Sequence, residues 1–201
     1  MTDQLRLQQV IRQIDQANQA DPNREHFEGG ELPKEQAYSR HMADWLEKLQ
    51  PNAPDEVQIA AYGQHICRWM MPRSDYPLDR AGYHRWRSNL QKFHATKLAG
   101  ILEPLGYSAE SITRVQSLVK KVRFKQDPEA QLVEDVACLV FLQYYLEDFA
   151  AQHDDDKVIA ILQKTWPKMS ETAQQAALTI PLSVRLQALV QRALHDTTSA
   201  E

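Results

Sequence analysis

The chain has 201 residues, of which 43% are hydrophobic and 25% are charged, as in an ordinary globular domain. Its net charge of −4 excludes the strongly basic proteins that bind nucleic acid or anionic membranes through charge alone. No apolar stretch is long enough to cross a bilayer, and the amphipathic N-terminus lacks the apolar core of a signal peptide. We therefore expect a cytoplasmic protein with no nucleic-acid or membrane partner; the sequence does not indicate its oligomeric state.

Helical periodicity dominates the chain, and we predict an all-α fold: a single-domain helical bundle of about seven to nine helices. The predicted parts are an N-terminal helix at 1–20, a loop at 21–33, a core bundle at 34–165, C-terminal helices at 166–195 and a frayed tail at 196–201. No strand is predicted. The short connections between the helices predict antiparallel neighbours.

Cap and stop signals place the helices of the core bundle. The predicted spans are 34–49, 56–71 with Asp55 as its N-cap, 79–102, and a helix that opens at 108–110. Asp127-Pro128-Glu129 predicts another helix start, because proline suits the first helical turn. Further helices are predicted at 157–164, 170–177 and 184–194.

The helix predicted at 129–149 carries two adjacent acidic residues inside an apolar stretch. Between Leu132 and Leu146 the only strongly polar side chains are Glu134, Asp135 and Gln143. Such a helix belongs in the centre of a fold, where an ionised carboxylate is costly without a cation, a donor or a metal beside it. We therefore predict that other parts of the chain supply partners for Asp135.

Two histidines are candidate partners for this acid. His65, His94 and Asp135 come from three separate predicted helices, and their meeting in a bundle core would make a divalent metal site, with Glu134 as a fourth candidate. Mn, Fe, Ni and Zn are the metals considered. A simpler interpretation of His65 is a histidine at the edge of the core, hydrogen-bonded to a carbonyl group.

Arginines on the helix predicted at 79–102 indicate an anion site. Arg80, Arg87 and His94 are spaced by seven residues, so they lie along one side of the helix. Guanidinium groups match the geometry of phosphate and carboxylate. The candidate anion-binding residues are Arg68, Arg73, Arg80, Arg87 and Lys121. The alternative is a solvated charged face, or arginines that pair with acidic residues of neighbouring helices.

Two long segments carry a resemblance to a known family. They are QHICRWMMPRSDYPLDRAGYHRWRSNLQKFHA at 64–95 and DPEAQLVEDVACLVFL at 127–142, with DPN at 21–23 and KTWPKMS at 164–170 extending the match. This pattern closely resembles the domain-of-unknown-function 4202 family. That resemblance implies no established activity.

A looser resemblance is to the HD superfamily of all-helical, metal-dependent phosphohydrolases, which makes the expected bundle HD-like. It implies that His65 is the first metal ligand, His94 the histidine of the His-Asp dyad and Asp135 the distant aspartate. This chain departs from the pattern, because Ala95 follows His94 in place of the dyad aspartate. Either Glu134 substitutes as the catalytic residue, or the site binds without hydrolysing.

Two hypotheses of function follow. In the first, a divalent metal beside an arginine-rich pocket supports hydrolysis of a small phosphorylated molecule. In the second, a metal-free helical module binds an anionic ligand or a partner protein, while Asp135 and Glu134 pair with Arg68, Arg87 or Lys121. A third possibility is that the same charges form only a structural network.

Overall fold

The computed structural model describes residues 3–198, and this part of the chain is mostly helical, with one two-stranded sheet. In chain order the elements are α1 (Asp3–Asn18), β1 (Arg24–Phe27), β2 (Gly30–Pro33), α2 (Lys34–Leu49), α3 (Asp55–Tyr62), α4 (Arg80–Leu102), α5 (Ala109–Val119), α6 (Pro128–Val140), α7 (Leu146–Ala151), α8 (Asp155–Thr165), α9 (Glu171–Ala177) and α10 (Val184–Thr198). The chain divides between Val133 and Glu134 into two compact units. Within residues 3–198, no helix combines the length and apolar character needed to cross a membrane.

The predicted helical class is confirmed, and local capping explains where several helices begin. Asp79 accepts a hydrogen bond from the Gly82 amide at 2.6 Å, which sets the start of α4. The Ser108 hydroxyl accepts from the Ser111 amide at 3.1 Å, which sets the start of α5. Each cap satisfies one of the backbone donors left open in a first helical turn.

The segment 21–33, predicted to be a loop, contains a β-hairpin. Strands β1 and β2 pair in antiparallel fashion from Arg24 opposite Pro33 to Phe27 opposite Gly30. Glu28 and Gly29 between them have φ values of 47° and 83°. Two consecutive left-handed residues form the tight turn that matches the twist of a hairpin. The prediction of no strand was wrong because four-residue polar strands leave no apolar periodicity.

Helix α3 is much shorter than predicted, since it ends at Tyr62 and not near residue 71. Its N-cap is Pro54, and Asp55, predicted to be the cap, is the first helical residue. A Cβ atom on Gly63 would lie 2.5 Å from Cδ2 of Leu98, so the end of α3 packs directly on α4. Cys67 then adopts a left-handed conformation with φ of 53°. The residues that follow Gly63 therefore form a turn and then a short 3₁₀ helix at Arg68–Met70.

The core of the first unit is formed by apolar faces of its helices. Helix α3 packs against α2 and α5, and α4 packs against α5. Fully buried side chains come from α1, α2, α3, α4 and α5: Val10, Ile14, Met42, Val57, Ile59, Leu98, Leu102, Val115 and Leu118. This packing holds the C-terminal end of α3 and the middle of α4 as a rigid support for the segment between them.

In the second unit the helix predicted at 129–149 is interrupted. Helix α6 ends at Val140, a π-helical segment follows at Phe141–Tyr145, and α7 restarts at Leu146. Helix α8 packs against α10 around Val158, Leu186 and other apolar residues. The tail predicted to fray at 196–201 is helical through residue 198, where α10 ends. Residues 199–201 lie outside the described part of the chain.

Candidate anion-binding site

A cleft of about 220 Å³ opens in the first unit between the segment after α3 and one face of α4. Its lining combines cations, aromatic rings and buried polar side chains: Gln64, His65, Arg68, Tyr83, Trp86, Arg87, Leu90, Gln91, His94 and Lys121. The α4 residues recur every three or four positions, so they lie on one face of that helix. Five of the predicted site residues meet here, namely His65, Arg68, Arg87, His94 and Lys121.

Two predicted anion-binding residues do not line the cleft. Arg73 donates to the carbonyl oxygen of Tyr76 at 2.9 Å and to that of Asp79 at 3.4 Å, so it organises the loop before α4. Arg80 is exposed at the first position of α4. The same loop is held against α4 by Trp86, whose Nε1 donates to the carbonyl oxygen of Met71 at 2.9 Å.

The two arginines of the cleft each lie against an aromatic ring. The guanidinium carbon of Arg68 lies 5.0 Å from the ring centre of Trp86, and that of Arg87 lies 6.0 Å from the ring centre of Tyr83. Among the side chains described at 4–195, no acidic group forms an ion pair with either arginine. Lys121 joins them from the left-handed turn that follows α5. The lining of the cleft is therefore positively charged.

His94 is almost fully buried, with 2% of its surface exposed. Its Nδ1 lies 2.8 Å from the carbonyl oxygen of Ile66, and because a carbonyl only accepts, Nδ1 carries the proton. The other ring nitrogen, Nε2, is therefore a lone-pair acceptor; it is buried, and no residue in the described part of the chain donates a hydrogen bond to it. Burial, with His65 nearby, lowers the pKa of His94 to about 3, so the ring is neutral at pH 7.

Gln64, another residue of the cleft lining, also carries a buried acceptor. Its Nε2 donates to the carbonyl oxygen of Val119 at 3.1 Å, which fixes the orientation of the amide. Its Oε1 is buried, and among residues 3–198 nothing donates a hydrogen bond to it. Two residues of the cleft lining thus carry buried acceptors for which the described residues provide no donor.

His65 is oriented by two residues of α2. Its Nδ1 lies 3.2 Å from Oε2 of Glu35, and its ring stacks on Tyr38 with ring centres 3.7 Å apart. Burial raises the pKa of Glu35 to about 7, with Arg68 acting in the opposite direction. Burial, followed by the charges of Arg68 and Lys121, lowers the pKa of His65. The simpler interpretation of His65 predicted a hydrogen bond to a carbonyl group. In the structure His94 has such a partner, whereas His65 lies beside the carboxyl group of Glu35.

Sequence reasoning missed Glu35 and Gln64. Glu35 precedes Tyr38 by three residues and Met42 by seven, so an acid shares the apolar face of α2. That spacing was the available signal. The spacing did not single out Glu35, because an acid in the first turn of a helix is also favoured by the helix dipole and then needs no partner.

The acid pair of α6 belongs to the second unit, where Asp135 is 4% exposed. Its Oδ1 accepts from the Ser170 amide at 2.8 Å and its Oδ2 from the Ser170 hydroxyl at 2.6 Å. Glu134 is also buried, with its Oε1 4.0 Å from Sγ of Cys138. Ser170 thus meets part of the predicted need of Asp135 for partners.

The predicted metal ligands are His65, His94 and Asp135, with Glu134 as a fourth candidate. Among residues 3–198 there is no group of three or more His, Cys, Asp or Glu side chains that could hold a metal ion. The rings of His65 and His94 have centres 6.1 Å apart, and one nitrogen of each already faces a protein oxygen. A metal held by His65, His94 and Asp135, with Glu134 as the catalytic residue, stays a prediction.

A protein-family model described as "Domain of unknown function (DUF4202)" matches residues 8–190. The chain belongs to this family. Comparison with curated proteins and with solved structures gives no match. The family match confirms the resemblance carried by the segments at 64–95 and 127–142, and it includes every residue of the cleft.

Proposed function

We propose that the cleft binds a small phosphorylated molecule. The observation that carries this proposal is that Arg68, Arg87 and Lys121 line one cleft whose lining contains no carboxylate. Like charges brought together in a concave surface repel each other and raise the local concentration of anions. A bound phosphate would relieve this repulsion and accept several charge-assisted hydrogen bonds.

The aromatic contacts support the same proposal. Trp86 and Tyr83 each contact a guanidinium group through the ring, and this contact leaves the N–H groups at the edge of the guanidinium available to a ligand. Arg87 donates only a long hydrogen bond of 3.5 Å, to the Tyr83 hydroxyl. The arginines are thus oriented before a ligand binds, which reduces the entropy lost on binding.

Isothermal titration calorimetry with propyl phosphate and inorganic phosphate tests the proposal. Arg68→Gln and Arg87→Gln should each weaken binding by about tenfold or more, since each removes a charge-assisted contact. Arg85→Gln is the matched control, because Arg85 is exposed on α4 and does not line the cleft. Equal affinities in Arg85→Gln and Arg87→Gln would contradict the proposal.

Hydrolysis of the bound phosphoester is the second candidate function. One observation favours it: His65 lines the cleft and is held by Glu35, so its second nitrogen is available for proton transfer beside the cations. The resemblance to the HD superfamily points to the same reaction. A phosphate-release assay on aryl and sugar phosphates, with and without added Mn²⁺, tests this candidate.

Metal content separates the two versions of this second candidate. Elemental analysis of untagged protein should find Mn, Fe, Ni or Zn near one equivalent, lost in both His65→Ala and Asp135→Ala, if the metal predicted from the sequence is present. Phosphate release that needs no metal and is lost in His65→Gln would assign proton transfer to the Glu35–His65 pair. Absence of phosphate release under every condition leaves binding alone as the function.

A further inference from the structure

We infer that the molecule bound in this cleft carries at least two hydroxyl groups beside its phosphate, as a sugar phosphate or polyol phosphate does. The inference rests on the proposed anion site and names the class of its ligand. It is carried by the two buried acceptors, His94 Nε2 and Gln64 Oε1, which the anion itself cannot satisfy.

The chemistry of each acceptor is determined by its other contact. Nδ1 of His94 donates a hydrogen bond to the Ile66 carbonyl, and Nε2 of Gln64 donates one to the Val119 carbonyl. Neither side chain can rotate to present a donor without leaving a buried carbonyl oxygen unpaired. Both residues line the cleft and both are more than nine-tenths buried. No described residue supplies a donor to either acceptor, and we assign the missing donors to the contents of the cleft that both residues line.

The charges of the cleft decide which donor is suitable. An ammonium group would be repelled by Arg68, Arg87 and Lys121, which line the same space. A fully ionised phosphate has no proton to give, and these cations favour the ionised form. A hydroxyl group is neutral, donates to an imidazole or amide acceptor, and still accepts from a guanidinium group. Two acceptors on residues that line the same cleft therefore indicate a ligand with more than one hydroxyl.

Two pairs of matched ligands test this inference by calorimetry on the full chain. Glycerol 3-phosphate and propyl phosphate share a three-carbon skeleton and differ by two hydroxyl groups; ribose 5-phosphate and pentyl phosphate form a longer pair. In at least one pair the hydroxylated compound should bind about tenfold or more tightly, because a site built for hydroxyl groups rejects the analogue that lacks them. Binding within threefold in both pairs would overturn the inference.

Variants identify the groups responsible for the preference. In His94→Phe the preference for the hydroxylated compound should fall by about tenfold, since a ring of similar size replaces the acceptor. Arg87→Gln should weaken both members of a pair equally and leave the preference unchanged. An undiminished preference in His94→Phe would overturn the role given to Nε2.

A measurement on the wild-type protein covers the case in which His94→Phe does not fold. In a long-range ¹H–¹⁵N NMR spectrum, the Nε2 resonance of His94 should shift when the hydroxylated compound binds and stay in place with its alkyl partner. If alkyl and inorganic phosphate bind in an Arg87-dependent manner and hydroxyl groups add nothing, a buried water satisfies these acceptors; the inference is then wrong while the anion site stands. If no phosphate compound binds, the proposed function is wrong as well.

Discussion

Glu35 and His65 form a buried carboxyl–imidazole pair, with Oε2 of Glu35 3.2 Å from Nδ1 of His65. Glu35 is 6% exposed, and its carboxyl interacts electrostatically with Asp21, Glu25, Lys34 and Arg68 in addition to the histidine. Asp21 itself accepts from the Glu35 amide at 3.1 Å. The loss of water on burial is the main reason why the pKa of Glu35 is raised to about 7; the nearby carboxylates of Asp21 and Glu25 raise it further, while Arg68 and Lys34 act in the opposite direction.

This raised pKa makes the stability of the protein depend on pH. The folded chain holds the Glu35 proton more tightly than the unfolded chain, whose pKa is 4.5. The contribution of this group to the free energy of unfolding is therefore fully present below pH 4.5 and is lost as the pH rises through 7, by up to about 3 kcal/mol. Glu35→Gln, which mimics the protonated acid, should gain stability relative to the wild type between pH 5 and pH 8.

Urea denaturation at pH 5, 6, 7 and 8 measures this difference. Comparing the two proteins at each pH removes most of the contribution that other titrating groups make to the free energy of unfolding. Because the pKa of His65 is lowered, the change in stability due to His65 is complete by pH 7. Glu31→Gln is the control, because Glu31 is an exposed acid on β2. Parallel stability profiles for wild type and Glu35→Gln would show that burial does not hold the Glu35 proton.

The elements predicted well are those whose ends are determined by neighbouring residues. The starts of α4 and α5 follow from Asp79 and Ser108, whose side chains cap the next turn. By contrast, the end of α3 depends on contact between Gly63 and Leu98, 35 positions apart, and no local pattern reveals it. For the same reason His65 and Arg68 were predicted on one long helix, whereas His65 lies in a turn and Arg68 begins a short 3₁₀ helix.

The sequence predicted those residues of the candidate site whose spacing or charge stands out among their neighbours in the chain. Arg87 and His94 stood out because they are spaced by seven residues along one side of a helix. Glu35 and Gln64 did not, because polar residues near helix ends are ordinary and their burial depends on distant parts of the chain. The polar partner of Asp135 was expected, but its identity as Ser170 depends on the tertiary fold.

Gly82 is required for the loop before α4 to pack against that helix. A Cβ atom at this position would collide with the backbone carbonyl oxygen of Pro77, which cannot move aside as a side chain would. We expect Gly82→Ala to lower the free energy of unfolding by roughly 1–3 kcal/mol. It should also weaken phosphate binding, because the displaced loop carries the carbonyl group of Met71 that positions Trp86.

A second glycine of α4 provides the control for Gly82→Ala. Gly100 is exposed on the same helix, and a Cβ atom there meets no other atom within 4 Å. Gly100→Ala should therefore stabilise the protein by about 0.5–1 kcal/mol through the higher helix propensity of alanine. Chemical denaturation of both variants measures the contrast, and equal effects of the two substitutions would disprove the steric argument.

Asp135 and Ser170 should act as a coupled pair in stability. Asp135→Ala removes the acceptor of a buried amide and a hydroxyl, and we expect a loss of about 2–4 kcal/mol. Ser170→Ala removes the hydroxyl that donates to Asp135 and caps α9. Ser108→Ala, at the exposed start of α5, removes only a cap and should lower the free energy of unfolding by about 1 kcal/mol. A double-mutant cycle by urea denaturation should therefore give a coupling energy of roughly 1–2 kcal/mol between Asp135 and Ser170. Additive losses, or a Ser170→Ala loss no greater than that of Ser108→Ala, would show that the serine does not stabilise the buried carboxylate.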